Sequence, residues 1–258
     1  MPVDFWLGTH QVHWLGTVDV PLFISRRRLT ARKSFPAAVC RWALDSGGFT
    51  ELSMFGEWRT SASVYARDIK RFEDQIGKLA WAAPQDWMCE PFMVQRTGLS
   101  VAEHQRRTVQ NFIELRELNA PVIPVVQGYE MHDYLECVEM YASAGVDLSA
   151  EPLVGLGSVC RRQATEQIGW VCQLMHDAGV TKLHGFGCKA GAIKKYGHLL
   201  ASADSMAWSF GGRRDGKCDN KSKCAHCLHF ALEWRSKVLS ASSPSLIQLP
   251  LALAGCNQ

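Results

Sequence analysis

The sequence contains no apolar run approaching the roughly 18 residues that crossing a bilayer requires, so its 47% hydrophobic content reads as core and no membrane partner is expected. The opening MPVDFW carries an acid at position 4 and lacks the basic, then apolar, then small-residue progression of a secretory leader; a cytoplasmic setting is expected. A strong net charge is also missing. At +3 the balance does not announce nucleic acid by itself. No glycine-rich dinucleotide turn follows the first strand-like run, which counts against an open doubly wound sheet and an organic dinucleotide cofactor. Cysteine is present, ten residues in all, but spread through 258 residues it lacks the density of a secreted disulfide scaffold. Seven are scattered and three fall within ten residues, a pattern that suits a reducing compartment with one local metal knuckle.

What the chain does hold is an alternation. Short β-branched or aromatic runs bounded by turn residues occur at DFWLGT (4–9), PLFIS (21–25), RWALD (41–45), LAWAAP (79–84), VIPVVQ (122–127), PLVGLG (152–157), KLHGFG (182–187) and SMAWSF (205–210). Between them lie segments of helical spacing such as ASVYARDIKRFEDQIGKL, SVAEHQRRTVQNFIELREL, MHDYLECVEMYASAG and RQATEQIGWVCQLMHDAG, the last two ending in glycine. Eight strands alternating with helices predict an α/β fold, a (β/α)8 TIM-type barrel, and about 250 residues is the usual size of one.

In such a barrel chemistry sits at the C-terminal ends of the strands. Those ends carry His10, Asp45-Ser46-Gly47-Gly48, Asp86, Gln127-Gly128, Gly155-Leu156-Gly157 and the run from His184 to Gly187, with Asp204 just before the eighth run. Singly, each has an ordinary explanation: an aspartate after a strand caps the next helix, a histidine in an apolar run is a bonded core residue, and paired glycines serve turns. Together, three carboxylates, a glutamine and several glycines exceed what capping requires, and bare glycine backbone lets a flat ligand approach closely.

Two further clusters stand out. KCDNKSKCAHCLHF sets Cys218, Cys224 and Cys227 in one loop, and Cys224-x-x-Cys227 has the spacing of a structural zinc knuckle, with His226, His229 and Cys256 as candidate fourth ligands. Positive charge gathers at Arg26, Arg27 and Arg28 with Arg32 and Lys33, and at Arg213, Arg214, Lys217, Lys221 and Lys223. Both groups follow rim-forming strands, so phosphate contact is expected of them. The expected domains are a catalytic barrel over 1–212 and a zinc-binding loop with a C-terminal helix over 213–258.

The ordered motifs Asp45-Ser46-Gly47-Gly48-Phe49, Val126-Gln127-Gly128, Val154-Gly155-Leu156-Gly157, His184-Gly185-Phe186-Gly187 and Ala203-Asp204-Ser205, followed by Arg213-Arg214 and the cysteines, resemble the tRNA-guanine transglycosylases. In length, and in FWLGTH and SADSMAWSF, the chain is closest to the phage and actinobacterial branch that inserts 7-deazaguanines into DNA. The resemblance implies Asp204 as nucleophile and Asp45, beside Ser46, as acid and base. It implies that Gly47, Gly48, Asp86, Gln127, Gly128, Gly155, Leu156, Gly157 and His184 surround the base. It implies structural zinc and no organic cofactor, and as partners DNA or tRNA, a 7-deazaguanine and a second copy or a DNA-opening protein, in a bacterial or phage-infected cytoplasm. Where the tRNA enzymes carry a glutamate after the glycine-leucine pair, this chain reads Gly157-Ser158-Val159-Cys160-Arg161. With no carboxylate there to face an aminomethyl group, the neutral nitrile of 7-cyano-7-deazaguanine is the expected substituent. The competing readings are a transglycosylase acting on tRNA, a non-catalytic base-binding barrel, for which paired aspartates have no use, and an unrelated barrel hydrolase.

Overall fold

A computed structural model describes residues 3–159, 166–188, 190–214, 218 and 224–242. Its strands are β1 (Asp4–Thr9), β2 (Leu22–Ser25), β3 (Trp42–Asp45), β4 (Leu79–Ala82), β5 (Val125–Val126), β6 (Val154–Leu156), β7 (Leu183–Gly185) and β8 (Ser202–Ser205). All pairings are parallel, in the order β4-β3-β2-β1-β8-β7-β6-β5. The first strand bonds the last, so the sheet curls on itself. The remaining seam is bridged where Ala82 N–H donates to Pro121 O (2.9 Å) and Ile123 N–H to Ala82 O (3.2 Å). This is the expected TIM-type α/β architecture.

Its helices are α1 (Gly48–Phe55), α2 (Ala62–Ile76), α3 (Pro91–Thr97), α4 (Val101–Glu117), α5 (Met131–Ser143), α6 (Glu166–Asp177), α7 (Ala190–Tyr196), α8 (Ala207–Arg214) and α9 (Leu228–Ser242). Local chemistry sets their bounds. The Ser61 and Ser100 hydroxyls accept from the Val64 and Glu103 N–H groups and so cap α2 and α4. The helix α2 buries Tyr65, Ile69, Phe72 and Ile76 along one stripe and stops at Gly77, whose φ of 72° an L side chain adopts only with strain.

Strand alternation sorts the side chains. Phe5, Leu7, Leu22, Ile24, Trp42 and Leu44 join the large core outside the sheet, under the helices. Trp6, Phe23, Ala43, Trp81 and Ile123 fill the interior as a separate cluster. Two residues beyond three of these interior plugs stand Gly8, Ser25 and Asp45, at the rim. The apolar plug therefore gives way to polar or bare backbone at one end of the barrel, where a ligand can reach it.

The eighth strand differs from expectation. SMAWSF begins at the last residue of β8 and then turns into α8, because its aromatics separate by helical angle: Trp208 is buried, stacked on Trp14 at 5.4 Å, while Phe210 is exposed. Ser202–Ser205 has little strand propensity of its own and is held by its neighbours, with Trp6 opposite Asp204 on β1 and His184 opposite Ser202 on β7. Asp204 thus lies within the strand, not before it.

Arg26 is a second correction. It was expected to meet phosphate, but its guanidinium is buried and committed to the fold: Nε and Nη2 donate to Asp68 Oδ2 (2.9 and 2.7 Å) and Nη1 to Thr60 Oγ1 (3.1 Å), tying the end of β2 to α2. Arg28 is exposed. Arg26→Ala is therefore expected to lower unfolding free energy by about 3 kcal/mol, the cost of breaking a buried ion pair, and Arg28→Ala by less than about 0.5 kcal/mol. Urea denaturation of the two variants checks the contrast.

Candidate active site

The C-terminal rim surrounds a pocket of about 770 Å³ lined by Asp45, Asp86, Glu90 and Asp204, with Gly8, His10, Ser25, Gly48, Gly157, Ser158, Phe186 and Phe210 among the other walls. Four carboxyl groups thus meet in one recess. Asp204 is nearly buried, and its Oδ1 accepts from Gly187 N–H (2.8 Å) and His184 Nε2–H (3.3 Å). His184 Nδ1 lies 2.8 Å from Ser202 Oγ. If the histidine is neutral, donation to the carboxylate leaves Nδ1 to accept the serine proton, so the chain Ser202, His184, Asp204 has one consistent set of donors. Trp81 and Phe186 flank the imidazole at 4.7 Å each and restrict its rotation. One oxygen of Asp204 is fixed by these contacts, which aims the other.

Asp45 ends β3 opposite Ser25, and its Oδ1 accepts from Gly47 N–H at 3.1 Å. Burial pushes its carboxyl above the usual carboxylate range, the Gly47 N–H and Ser25 hydroxyl pull it back, and the Asp204 charge adds to the rise. Asp86 is pushed up to about 7, first by burial and then by the Asp45 charge. Its Oδ2 accepts from Gln127 Nε2 at 2.5 Å.

Several expected base contacts stand behind the wall. Gln127 is fully buried: its amide nitrogen serves Asp86 and its oxygen lies 2.7 Å from Ser158 Oγ. His184 is fully buried against Asp204. Ser46, Gly47, Gly128, Gly155 and Leu156 are buried beside the pocket. Gly155 and Gly157 leave room for protein, since a Cβ there would lie 2.5 Å from Phe186 and 2.4 Å from Gln127. The expected catalytic pair, Asp45 and Asp204, lines the cavity, and of the residues expected around the base Gly48, Asp86 and Gly157 do so.

Two residues that sequence reading missed complete it. Glu90, the residue before α3, is buried, and its Oε2 lies 3.0 Å from Ser158 Oγ. Ser158 holds a left-handed φ of 54°, and its Oγ also accepts from Cys89 N–H (2.7 Å). No adjacent motif marks Glu90; it is far from Ser158 in sequence and only the fold joins them. Cys160 and Arg161 lie outside the described residues.

Beyond the pocket, ligand atoms of Cys218, Cys224 and Cys227 lie within 4.8 Å of one another and could hold a metal ion. Cys218 Sγ is 3.5 Å from Cys227 Sγ, near the roughly 3.7 Å between thiolates that share a tetrahedral zinc. A hydrogen bond with Cys224 and then desolvation push the Cys218 thiol up to about 12, toward its neutral form. Of the histidines, His229 Nδ1 is 3.8 Å from Cys218 Sγ, whereas His226 Nδ1 pairs with Gln11. Cys256 and the lysines at 217, 221 and 223 lie outside the described residues. Arg213 and Arg214 end α8 and are exposed, and Arg27 pairs with Glu51 at 2.6 Å.

A family model described as "DpdA: DeoxyPurine in DNA protein A" matches residues 1–254. No curated protein matches the chain. Among solved structures, the YdjI aldolase from Escherichia coli K12 is similar with a TM-score of 0.43 and 11% identity, over 93% of this chain and 89% of that one.

The raised Asp86 carboxyl has a consequence for stability. Its folded value near 7 exceeds the ordinary 3.8, so its favourable neutral form contributes fully below about pH 4 and that contribution is lost as pH rises through 7. Asp86→Asn removes the titration. The variant is expected to match wild type near pH 4 and to exceed it by a few kcal/mol at pH 8. Urea melts across that range check the sign.

Proposed function

The chain belongs to the DpdA family, whose activity is transglycosylase-like modification of DNA, and from that premise we propose that it exchanges a guanine in DNA for a 7-deazaguanine through a covalent glycosyl-aspartate. The observation that carries this reading is the pairing of an oriented Asp204 with an Asp45 held toward its protonated form in the same pocket. The free oxygen of Asp204 attacks C1′ of the deoxyribose as the bond to guanine breaks, and the ester formed preserves the sugar for a second displacement. Asp45 gives its proton to the departing guanine. The incoming 7-deazaguanine returns a proton from N9 to Asp45 as that nitrogen attacks C1′ and releases Asp204. Two inversions give net retention.

Asp86, ionised on binding, accepts from N1–H and the exocyclic amine of a guanine edge, and Gln127 holds the carboxylate in place for this. The nitrile expectation rested on a wall without a carboxylate. Glu90 brings one to Ser158, so that ground no longer holds, and an aminomethyl base whose ammonium Glu90 can face is the second reading. The deazaguanine carbon at position 7 cannot be protonated as guanine N7 can, which makes the inserted base the poorer leaving group and drives the exchange one way.

We assign the cysteine cluster to a structural zinc held by Cys218, Cys224 and Cys227, with His229 as the fourth ligand. Bound there, zinc neutralises thiolates that otherwise repel one another and staples the loop to the barrel.

Purified protein mixed with labelled guanine and either plasmid DNA or bulk tRNA is expected to label the DNA, and Asp204→Ala to abolish labelling while leaving the melting temperature within a few degrees. Uptake by tRNA alone would overturn the polymer assignment, and turnover by the variant the nucleophile. Elemental analysis is expected to give one zinc per chain, with Cys224→Ser lowering both metal content and melting temperature. Protein purified without chelators and holding no metal would refute the assignment.

A further inference from the structure

A guanine stacked in duplex DNA cannot reach a recess of this depth, so it must leave the helix, and the gap it leaves costs stacking and pairing energy. Proteins that open a duplex often fill such a gap with an apolar side chain. Phe210 is 64% exposed and stands in the wall of the catalytic pocket. Exposed aromatics scattered over a surface need no explanation, and Trp170 on α6 is one. Phe210 differs in its place and in its support.

Its helix begins two residues after the strand that carries Asp204 and is held rigidly. Trp208 Nε1 donates to Gly8 O (2.8 Å), Ser209 Oγ donates to Ala225 O (2.9 Å), and Cys224 N–H donates to Gly212 O (2.8 Å). The two glycines that follow Phe210 behave differently. A Cβ on Gly212 would meet Cys224 O at 2.6 Å, so close packing explains that glycine. A Cβ on Gly211 would meet no atom of the described residues within 4 Å. A glycine inside a helix is less favourable than an alanine, and at position 211 no contact among the described residues accounts for it. Bare backbone beside an exposed ring at a pocket mouth suits the close approach of a ligand absent from the structure. Arg214, one turn beyond Phe210 with its guanidinium 5.7 Å from that ring, sets positive charge on the same face.

We propose that the outer face of α8 is the element that opens the duplex: Phe210 enters the stack where the target guanine has left, the DNA backbone passes over Gly211, and Arg214 meets a phosphate. This rests on the reading of a guanine in DNA as the substrate, and the test separates the two. Wild type and Phe210→Ala are compared on a duplex, on the same target strand alone, and on a duplex with the target guanine opposite an abasic site, where extrusion costs less. The ratio of kcat/KM on paired duplex to that on single strand is expected to fall by at least about tenfold in Phe210→Ala, to recover in Phe210→Trp, and to recover with the abasic partner. An unchanged ratio overturns the proposal even if overall rates drop.

A second readout does not need turnover. Asp204→Ala protein is mixed with a duplex carrying 2-aminopurine at the target position, whose fluorescence rises when the base leaves the stack. A severalfold rise that Phe210→Ala abolishes supports the wedge, and a rise of equal size in both proteins overturns it. If wild type labels no DNA yet this rise and its loss are seen, the exchange reading fails and the wedge stands.

Discussion

The site depends on the register of β8 between β7 and β1. Ser-Ala-Asp-Ser has no bulk with which to hold itself, yet parallel pairing on both sides sets Ser202 beside His184 and Asp204 beside Trp6. A shift of one residue would turn Asp204 outward, into the helix layer. The large residues that enforce the register belong to other strands: Trp6 and Trp81 pack edge to face at 5.6 Å, and Trp81 leans on His184. Asp204 is small and fixed in position because its surroundings are large and close-packed.

Four carboxyl groups in one recess would repel an anion and each other if all were ionised. The fold reduces the charge by burial, which keeps Asp45 and Asp86 toward their neutral forms, and it places no lysine or arginine in the pocket wall among the described residues. His10 is also shifted toward neutrality, by burial first and then by Arg28. The interior therefore suits an uncharged base rich in donors and disfavours phosphate. The arginines stand outside, Arg28 after β2 and Arg213 and Arg214 at the end of α8. On the proposed reading, that division sorts a nucleotide by its parts: the base enters, and the backbone stays at the rim.

Much of this was legible in the chain. Seven of eight strand runs contain the strands observed, the helical segments that start at Ala62 and Ser100 hold α2 and α4, and Asp45, Asp86 and Asp204 share one pocket because strand ends in a barrel must converge. What could not be read depends on contacts between distant segments. Arg26 looks like its neighbours until Asp68 is seen beside it. Glu90 reads as an ordinary residue before Pro91 until the loop after β6 brings Ser158 to it. The run SMAWSF satisfied strand preference by composition, but Trp208 and Phe210 face different surroundings only once the chain is helical. Periodicity gives the elements; it does not tell which polar atom is already occupied by another.

The cysteine cluster is tied to the pocket through α8. Cys224 is fully buried, and it meets α8 through its backbone: N–H to Gly212 O on one side, and its own carbonyl packed where a Gly212 side chain would otherwise be. The helix in turn hangs from Gly8 on β1 through Trp208, one strand away from Asp204. A metal that rigidifies the cysteine loop would therefore act at a distance, by fixing the helix that carries Phe210 and both arginines relative to Asp204. Such a centre needs no open coordination position, since its contribution is the placement of one rim element. Loss of the metal should then disturb engagement of the polymer more than the chemistry on a base already in the pocket, because Gly187, His184 and Ser202, which orient Asp204, belong to the barrel wall and not to the loop.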